Sequence, residues 1–132
     1  QFAWHSDTND YAVTNLVDEA SDGGLFQYSP NIRTAGDENF DCVRSCQGED
    51  LTTVRTLQLR SGDLQIFRGR FSLHRVTKVA TDSPARHTAV FAYTEKPGVI
   101  GRLERTRQLF GRALPAHEAA ERSRSRSDEL KD

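Results

Sequence analysis

The residues with the clearest chemical potential are His5 and Asp7, which lie two positions apart in the segment Trp4-His5-Ser6-Asp7. On an extended backbone, residues i and i+2 point to the same face, so an imidazole and a carboxylate are presented side by side. This pair suits a divalent first-row metal ion. Taken alone the motif is weak, because it occurs by chance in many proteins, where a core histidine or a surface pair explains it.

A metal site needs a third ligand from elsewhere in the chain, and His74 is the best candidate. It lies in the strand-like segment Arg-Phe-Ser-Leu-His-Arg-Val, residues 70–76, where alternation turns Ser72, His74 and Val76 inward. Two histidines and one carboxylate form the facial triad of non-haem Fe(II) oxygenases.

A second pair of polar side chains follows His74 along the chain. Arg86 and Thr88 share a strand face, where a guanidinium and a hydroxyl could receive one carboxylate of a dicarboxylic acid. Residues 62–67 (Gly-Asp-Leu-Gln-Ile-Phe) predict the turn and strand that deliver His74.

Taken together, these motifs resemble those of the Fe(II)/2-oxoglutarate-dependent dioxygenases. The resemblance covers residues 2–94 and rests on five short motifs that follow one another in the same order as in that family. They are His5-x-Asp7, Gly23-Gly24-x-Phe26-x-Tyr28, Gly62-Asp63-Leu64-x-x-Phe67, His74-x-Val76-x-x-Val79 and Arg86-x-Thr88. The segment Ser-Leu-His-Arg-Val and the loop Pro30-Asn31-Ile32-Arg33 look most like the branch that modifies free amino acids, which includes hydroxylases and related lysine halogenases.

The resemblance implies a fold, two cofactors and a reaction. The fold would be a double-stranded β-helix, a jelly roll, with His5, Asp7 and His74 binding Fe(II). Arg86 and Thr88 would hold the distal carboxylate of 2-oxoglutarate. The enzyme would use dioxygen to hydroxylate a small polar metabolite, such as a free amino acid. Related halogenases carry Gly or Ala in place of the carboxylate ligand, so Asp7 favours hydroxylation.

The secondary-structure pattern predicts a mainly β chain with a C-terminal helix. Seven strand-like segments are expected, at residues 2–5, 11–17, 25–28, 53–59, 64–68, 71–79 and 86–94. Residues 31–50 are expected to form a long surface excursion with a helical turn. Residues 1–97 would then be a partial dioxygenase core, residues 98–112 an amphipathic helix with its arginines in solvent, and residues 113–132 a flexible tail.

Composition excludes several other classes of protein. The 132 residues carry 18 Lys and Arg against 19 Asp and Glu, a formal net charge of −1, which argues against a general nucleic-acid binder. No apolar run is long enough for a membrane helix. Cys42 and Cys46, spaced C-x3-C, are expected to be free thiols, and we expect a cytoplasmic protein. The substrate and the oligomeric state are left open.

The chain has no methionine and begins at Gln1, in the middle of an apparent strand. Members of the family that the motifs resemble carry strands and helices ahead of the His-x-Asp motif, and here the motif is at the start of the sequence. We therefore expect an N-terminally truncated jelly roll. Two other functions stay open: a non-catalytic jelly-roll binding module with a vestigial metal site, and a cupin-like metalloenzyme without a co-substrate. The pair Arg86 and Thr88 argues against the second.

Four further polar residues have structural explanations. His87 alternates to the face opposite Arg86 and is expected on the surface. Asp10 is poorly placed to share a metal with His5. Arg70 and Arg75 could each bind a substrate carboxylate, but structural or exterior positions are expected for both.

Overall fold

The computed structural model describes residues 1–48, 51–124 and 129–130. Within them the chain forms seven strands and three α-helices, which confirms the mainly β prediction. The elements in chain order are β1 Phe2–His5, β2 Tyr11–Asp18, β3 Phe26–Ser29, α1 Phe40–Gln47, a 3-10 turn Leu51–Thr53, β4 Arg55–Leu57, β5 Leu64–Phe67, β6 Leu73–Val76, β7 His87–Tyr93, α2 Leu103–Phe110 and α3 Pro115–Ser123.

The strands form two antiparallel sheets. One has four strands in the order β1-β6-β3-β4, and the other has three in the order β5-β2-β7. In the described part of the chain the two sheets share no strand and do not close into a barrel. The described helices are all short, and none of them combines the length and apolar character needed to cross a bilayer.

Strand β2 shows how the sequence pattern sets the inner face of its sheet. Ala12 and Leu16 are each only 3% exposed, whereas Val17 on the opposite face is 50% exposed. Leu16 pairs with Thr88 of β7, and Ala12 pairs with Phe67 of β5. Because paired residues on neighbouring strands share a face, Thr88 and Phe67 are turned toward the core as well.

The pairing of β1 with β6 brings the two candidate histidine ligands together. His5 lies directly opposite His74, with a register shift between Phe2 and His5. On its other side β6 pairs with β3, where Tyr28 lies opposite His74. His74 therefore occupies an inner strand of the sheet, and it is 4% exposed, as the alternation predicts.

The C-terminal helix differs from its sequence prediction in extent and in orientation. It begins at Leu103, so Val99 lies outside it, and Phe110 at its end is 72% exposed. Arg102 and Arg105, expected in solvent, are half-buried. Arginine side chains bury their long apolar stems readily, which a count of apolar residues alone does not register.

The sequence predicts a flexible tail from residue 113, and the structure instead has helix α3 over Pro115–Ser123. Two ion pairs hold α3 on α2: Arg107 with Glu118, and Arg102 with Glu121, each at 3.0 Å. The segment was predicted to be flexible because it has too few apolar residues to bury. In the structure, ion pairs rather than apolar contacts attach α3 to α2. The rest of the predicted tail at 125–128 and 131–132 lies outside the described residues, whereas Leu130 is fully buried.

Both cysteines are free, as the spacing predicts. Cys42 is exposed on α1, and Cys46 is buried on the same helix. The Sγ atom of Cys46 lies 3.4 Å from the hydroxyl of Thr53, so this thiol contributes to the packing of α1 on the 3-10 turn.

Candidate metal centre

Three side chains that are distant in the sequence converge at the end of β1. One ligand atom from each of His5, Asp7 and His74 lies within 4.8 Å of the other two. The Oδ1 atom of Asp7 is 3.5 Å from Nε2 of His74 and 3.9 Å from Nε2 of His5. Among the residues that the structure describes, this is the group whose geometry could hold a metal ion.

Hydrogen bonds to the backbone fix which nitrogen of each histidine is available. Nδ1 of His5 lies 2.7 Å from the carbonyl oxygen of Ala3, and Nδ1 of His74 lies 3.2 Å from that of Ser72. A carbonyl oxygen only accepts, so each Nδ1 carries a proton, and in a neutral imidazole Nε2 is then the nitrogen with the free lone pair. Metal-binding histidines in proteins are oriented by second hydrogen bonds of this kind.

Burial favours the neutral imidazole that a metal ion requires. Desolvation lowers the pKa of His5 below its ordinary value of 6.5, and the nearby His74 lowers it further. The Ala3 carbonyl and the Asp7 carboxylate act in the opposite direction without reversing the shift. His5 is therefore held neutral near pH 7, with its Nε2 lone pair free for a ligand bond.

The loop that follows β1 positions the Asp7 carboxylate. The backbone N–H of Asp7 donates to the carbonyl oxygen of Gly69 at 2.9 Å. A guanidinium nitrogen of the buried Arg70 lies 3.5 Å from the carbonyl oxygen of Asp7. A Cβ atom at Gly69 would overlap the carboxylate itself. Gly69 is thus the residue whose missing side chain leaves room for the third ligand.

Aromatic rings enclose His74 on the core side. Phe26 stacks on the His74 ring at a centroid distance of 5.7 Å, and Phe67 meets it edge-on at 4.9 Å. The His5 ring lies 4.2 Å away on the remaining side. This apolar packing locks the orientation of the imidazole and limits the access of water to the group.

The donor set fits a divalent metal ion. Bonds of about 2.1 Å at right angles place two ligand atoms about 3 Å apart, so an ion would bring the Asp7 oxygen closer to each of the two Nε2 atoms by under 1 Å. Three protein ligands leave further coordination positions open, which is the arrangement of catalytic rather than structural metal sites.

Arg86 and Thr88 also come together, as the sequence predicts. A guanidinium N–H of Arg86 donates to the Thr88 hydroxyl at 2.5 Å, and both side chains are half-buried. Burial lowers the pKa of Arg86 below its usual value, and the group stays cationic. Arg86 lines a small cavity of about 40 Å³ together with Phe26, the residue that stacks on His74.

Gly24 makes room for Arg86 at this second site. Its φ of +65° belongs to the left-handed region that glycine tolerates, and a Cβ there would lie 2.9 Å from the Cδ atom of Arg86. The Gly23-Gly24 motif therefore serves both the turn and the guanidinium. The sequence shows the motif but not this contact, because Arg86 is far away along the chain.

The other polar residues considered from the sequence lie outside the metal group. Asp10 accepts a hydrogen bond from the backbone N–H of Glu95, and His87 lies 2.9 Å from Asp18 on the surface. Arg70 is buried and structural, and Arg75 lies over the Trp4 ring at 4.6 Å.

Sequence reasoning missed Arg33 as a buried structural group. Its Nε atom donates to the Arg70 carbonyl at 2.6 Å, and it pairs with Glu38 at 2.8 Å. The sequence shows Arg33 in the loop Pro30-Asn31-Ile32-Arg33 but carries no local signal of its burial, because Arg70 lies far away along the chain.

Comparison with known proteins finds no family model and no curated protein that matches this chain.

Proposed function

We propose that this chain carries the metal and co-substrate site of an Fe(II)- and 2-oxoglutarate-dependent dioxygenase that hydroxylates a small polar metabolite, such as a free amino acid. The observation that carries the proposal is the convergence of His5, Asp7 and His74, with both Nδ1 atoms engaged and both Nε2 atoms available. This donor set is the facial triad typical of non-haem Fe(II) oxygenases.

Each group of side chains has a distinct role in this proposal. His5, Asp7 and His74 would hold Fe(II), and Arg86 with Thr88 would bind the distal carboxylate of 2-oxoglutarate. Bound together, the iron and 2-oxoglutarate supply an oxidation in which dioxygen gives one atom to the substrate C–H bond and one to succinate, with release of CO₂. Asp7 fills the position that halogenases keep open, which favours hydroxylation.

The order of strands supports a jelly-roll fold for this site. Every connection between successive strands changes sheet except that from β3 to β4: β1, β3, β4 and β6 belong to one sheet, and β2, β5 and β7 to the other. Jelly rolls place eight strands in two facing sheets by connections of this kind. We propose that the seven described strands correspond to seven of those eight, with the metal group at one end of the four-stranded sheet.

The proposal is tested by iron-dependent conversion of 2-oxoglutarate to succinate. Purified chain is freed of metal, supplied with Fe(II), ascorbate, 2-oxoglutarate and a pool of free amino acids, and assayed for succinate. We expect release that requires Fe(II) and is abolished by His74→Ala. The matched control is His87→Ala, which removes an exposed imidazole outside the group.

Two outcomes would contradict the proposal. Absence of succinate despite bound iron would favour a non-catalytic metal-binding module. Succinate formation that survives His74→Ala would show that the iron is held elsewhere. Mass spectrometry of the amino acids then identifies the reaction: a gain of one oxygen atom supports hydroxylation, and incorporation of chlorine contradicts the role given to Asp7.

A further inference from the structure

A large cavity lies beside the metal group, between the end of β1 and helices α1 and α2. Its volume is about 780 Å³, within the range of small-molecule sites. His5 lines this cavity and also belongs to the metal group, so the two are adjacent. Trp4, Phe40 and Val43 contribute apolar walls.

The charges of the cavity are dominated by arginine. Arg33, Arg102, Arg105 and Arg107 all line it. Three of them are matched by carboxylates at 2.8 to 3.0 Å: Arg33 by Glu38, Arg102 by Glu121 and Arg107 by Glu118.

Arg105 differs from the other three. Within the described ranges its hydrogen-bond partner is the neutral Gln108, whose Oε1 lies 2.7 Å away, and no carboxylate pairs with it. It is half-buried and lines the same cavity as His5, a member of the metal group. An uncompensated guanidinium in a partly desolvated cavity favours an anionic partner.

The residue before Arg105 carries the opposite charge. Glu104 also lines the cavity and makes no ion pair with any residue that the structure describes. The cavity thus offers one half-buried guanidinium and one exposed carboxylate on neighbouring residues of α2, neither of them in an ion pair within the described residues.

We propose that this cavity binds the substrate as a free α-amino acid, with the substrate carboxylate on Arg105 and its ammonium group on Glu104. The side chain then extends past Trp4 and Phe40 toward His5, which brings a side-chain carbon to the metal group. This inference rests on the proposed dioxygenase function and adds to it the cavity that binds the substrate and two substrate-binding residues.

The test compares ligands that differ only in the carboxylate. Binding to the Zn(II)-loaded chain is followed by saturation-transfer NMR and isothermal titration calorimetry. The probes are free amino acids and the amines that lack their carboxylates, such as L-lysine with 1,5-diaminopentane and L-phenylalanine with phenethylamine. We expect at least one amino acid to bind and its amine to bind at least about tenfold more weakly.

Variants of Arg105 give the second arm of the test. Arg105→Gln is expected to weaken amino-acid binding at least about tenfold, and Arg105→Lys, which keeps the charge without the fork, to weaken it less. Arg112→Gln is the matched control, because Arg112 is exposed and does not line the cavity. Thermal melting of each variant confirms that it folds.

Three results would overturn the inference: no amino acid binds, amines bind as well as amino acids, or Arg105→Gln binds amino acids like Arg112→Gln. Failure of the underlying function looks different. In that case amino acids bind in an Arg105-dependent manner while the chain with Fe(II) forms no succinate. The two failures are therefore separated by running the binding and succinate assays on the same preparations.

Discussion

Substitution of Gly69 by alanine tests the metal centre through a residue that is not itself a ligand. The added Cβ would overlap the carboxylate of Asp7, so either the carboxyl group turns away or the backbone at residue 69 retreats. Because Asp7 N–H donates to the Gly69 carbonyl at 2.9 Å, a retreat of the backbone also displaces Asp7. Both responses move the third ligand.

The expected magnitude follows from bond lengths. Metal–oxygen bonds of about 2.0–2.2 Å tolerate little displacement. Relief of the overlap at Gly69 must widen the distance from the new Cβ to Oδ2 of Asp7 from 1.8 Å to at least 3.0 Å. Changes that merely disturb the orientation of a ligand cost about 10–100-fold in metal affinity. We therefore expect Gly69→Ala to weaken metal binding by at least this factor, about 1.4–2.8 kcal/mol.

The assay is calorimetric titration of the metal-free chain with Zn(II), which has no redox chemistry and accepts the same nitrogen and oxygen donors. Gly36→Ala is the control, since a Cβ there meets nothing within 4 Å and its φ is not positive. Thermal unfolding of both variants separates a local effect from loss of fold. Zn(II) affinity of Gly69→Ala equal to that of Gly36→Ala would refute the role given to the Gly69 gap.

Three further predictions address the co-substrate, the core and the C-terminal helices. Gly24→Ala should displace the Arg86 side chain, and so raise the KM for 2-oxoglutarate about tenfold without a change in Zn(II) affinity. An unchanged KM would show that Arg86 does not bind the co-substrate. Leu16→Ala should lower the free energy of unfolding in urea by about 2–5 kcal/mol, because Leu16 is 3% exposed, and a loss below 1 kcal/mol would contradict its core position. Glu121→Gln should speed amide hydrogen exchange over α3 by releasing Arg102, whereas unchanged exchange would show that this ion pair does not hold the helix.

The strands were predictable because they carry period-two alternation. In β2 the alternation puts Ala12 and Leu16 on one face and Val17 on the other, and the structure buries the first face and exposes Val17 on the second. The short strands were harder to delimit. The predicted strand at residues 53–59 is reduced to β4, because Thr53 ends a 3-10 turn and only Arg55–Leu57 pairs with β3.

The metal group was predictable because local and global signals agree on it. His5 and Asp7 share a face by spacing alone, and the inward position of His74 follows from alternation in β6. Their mutual distances follow from the register of β1 with β6, which no local pattern encodes. The alternation in residues 70–76 made His74 the candidate third ligand, and the structure places it opposite His5 across the strand pair.

The cavity and its arginines could not be predicted in the same way. Arg102 and Arg105 look like a solvated helix face, because charged residues on a short helix usually are. Their half-buried positions depend on how α2 packs near β1 and on the ion pairs with α3. Neither helix packing nor pairs such as Arg107 with Glu118 follow from hydrophobic periodicity.

The most direct measurement is X-ray absorption at the iron edge of the Fe(II)-loaded chain, compared with the His74→Ala variant. If His5, Asp7 and His74 bind the ion, the fine structure of the wild-type chain shows two imidazoles with oxygen ligands at about 2.0–2.2 Å. The variant then loses one imidazole from the spectrum or fails to bind iron. A wild-type spectrum without two imidazoles, or a variant spectrum identical to the wild type, would contradict the assignment of these three ligands.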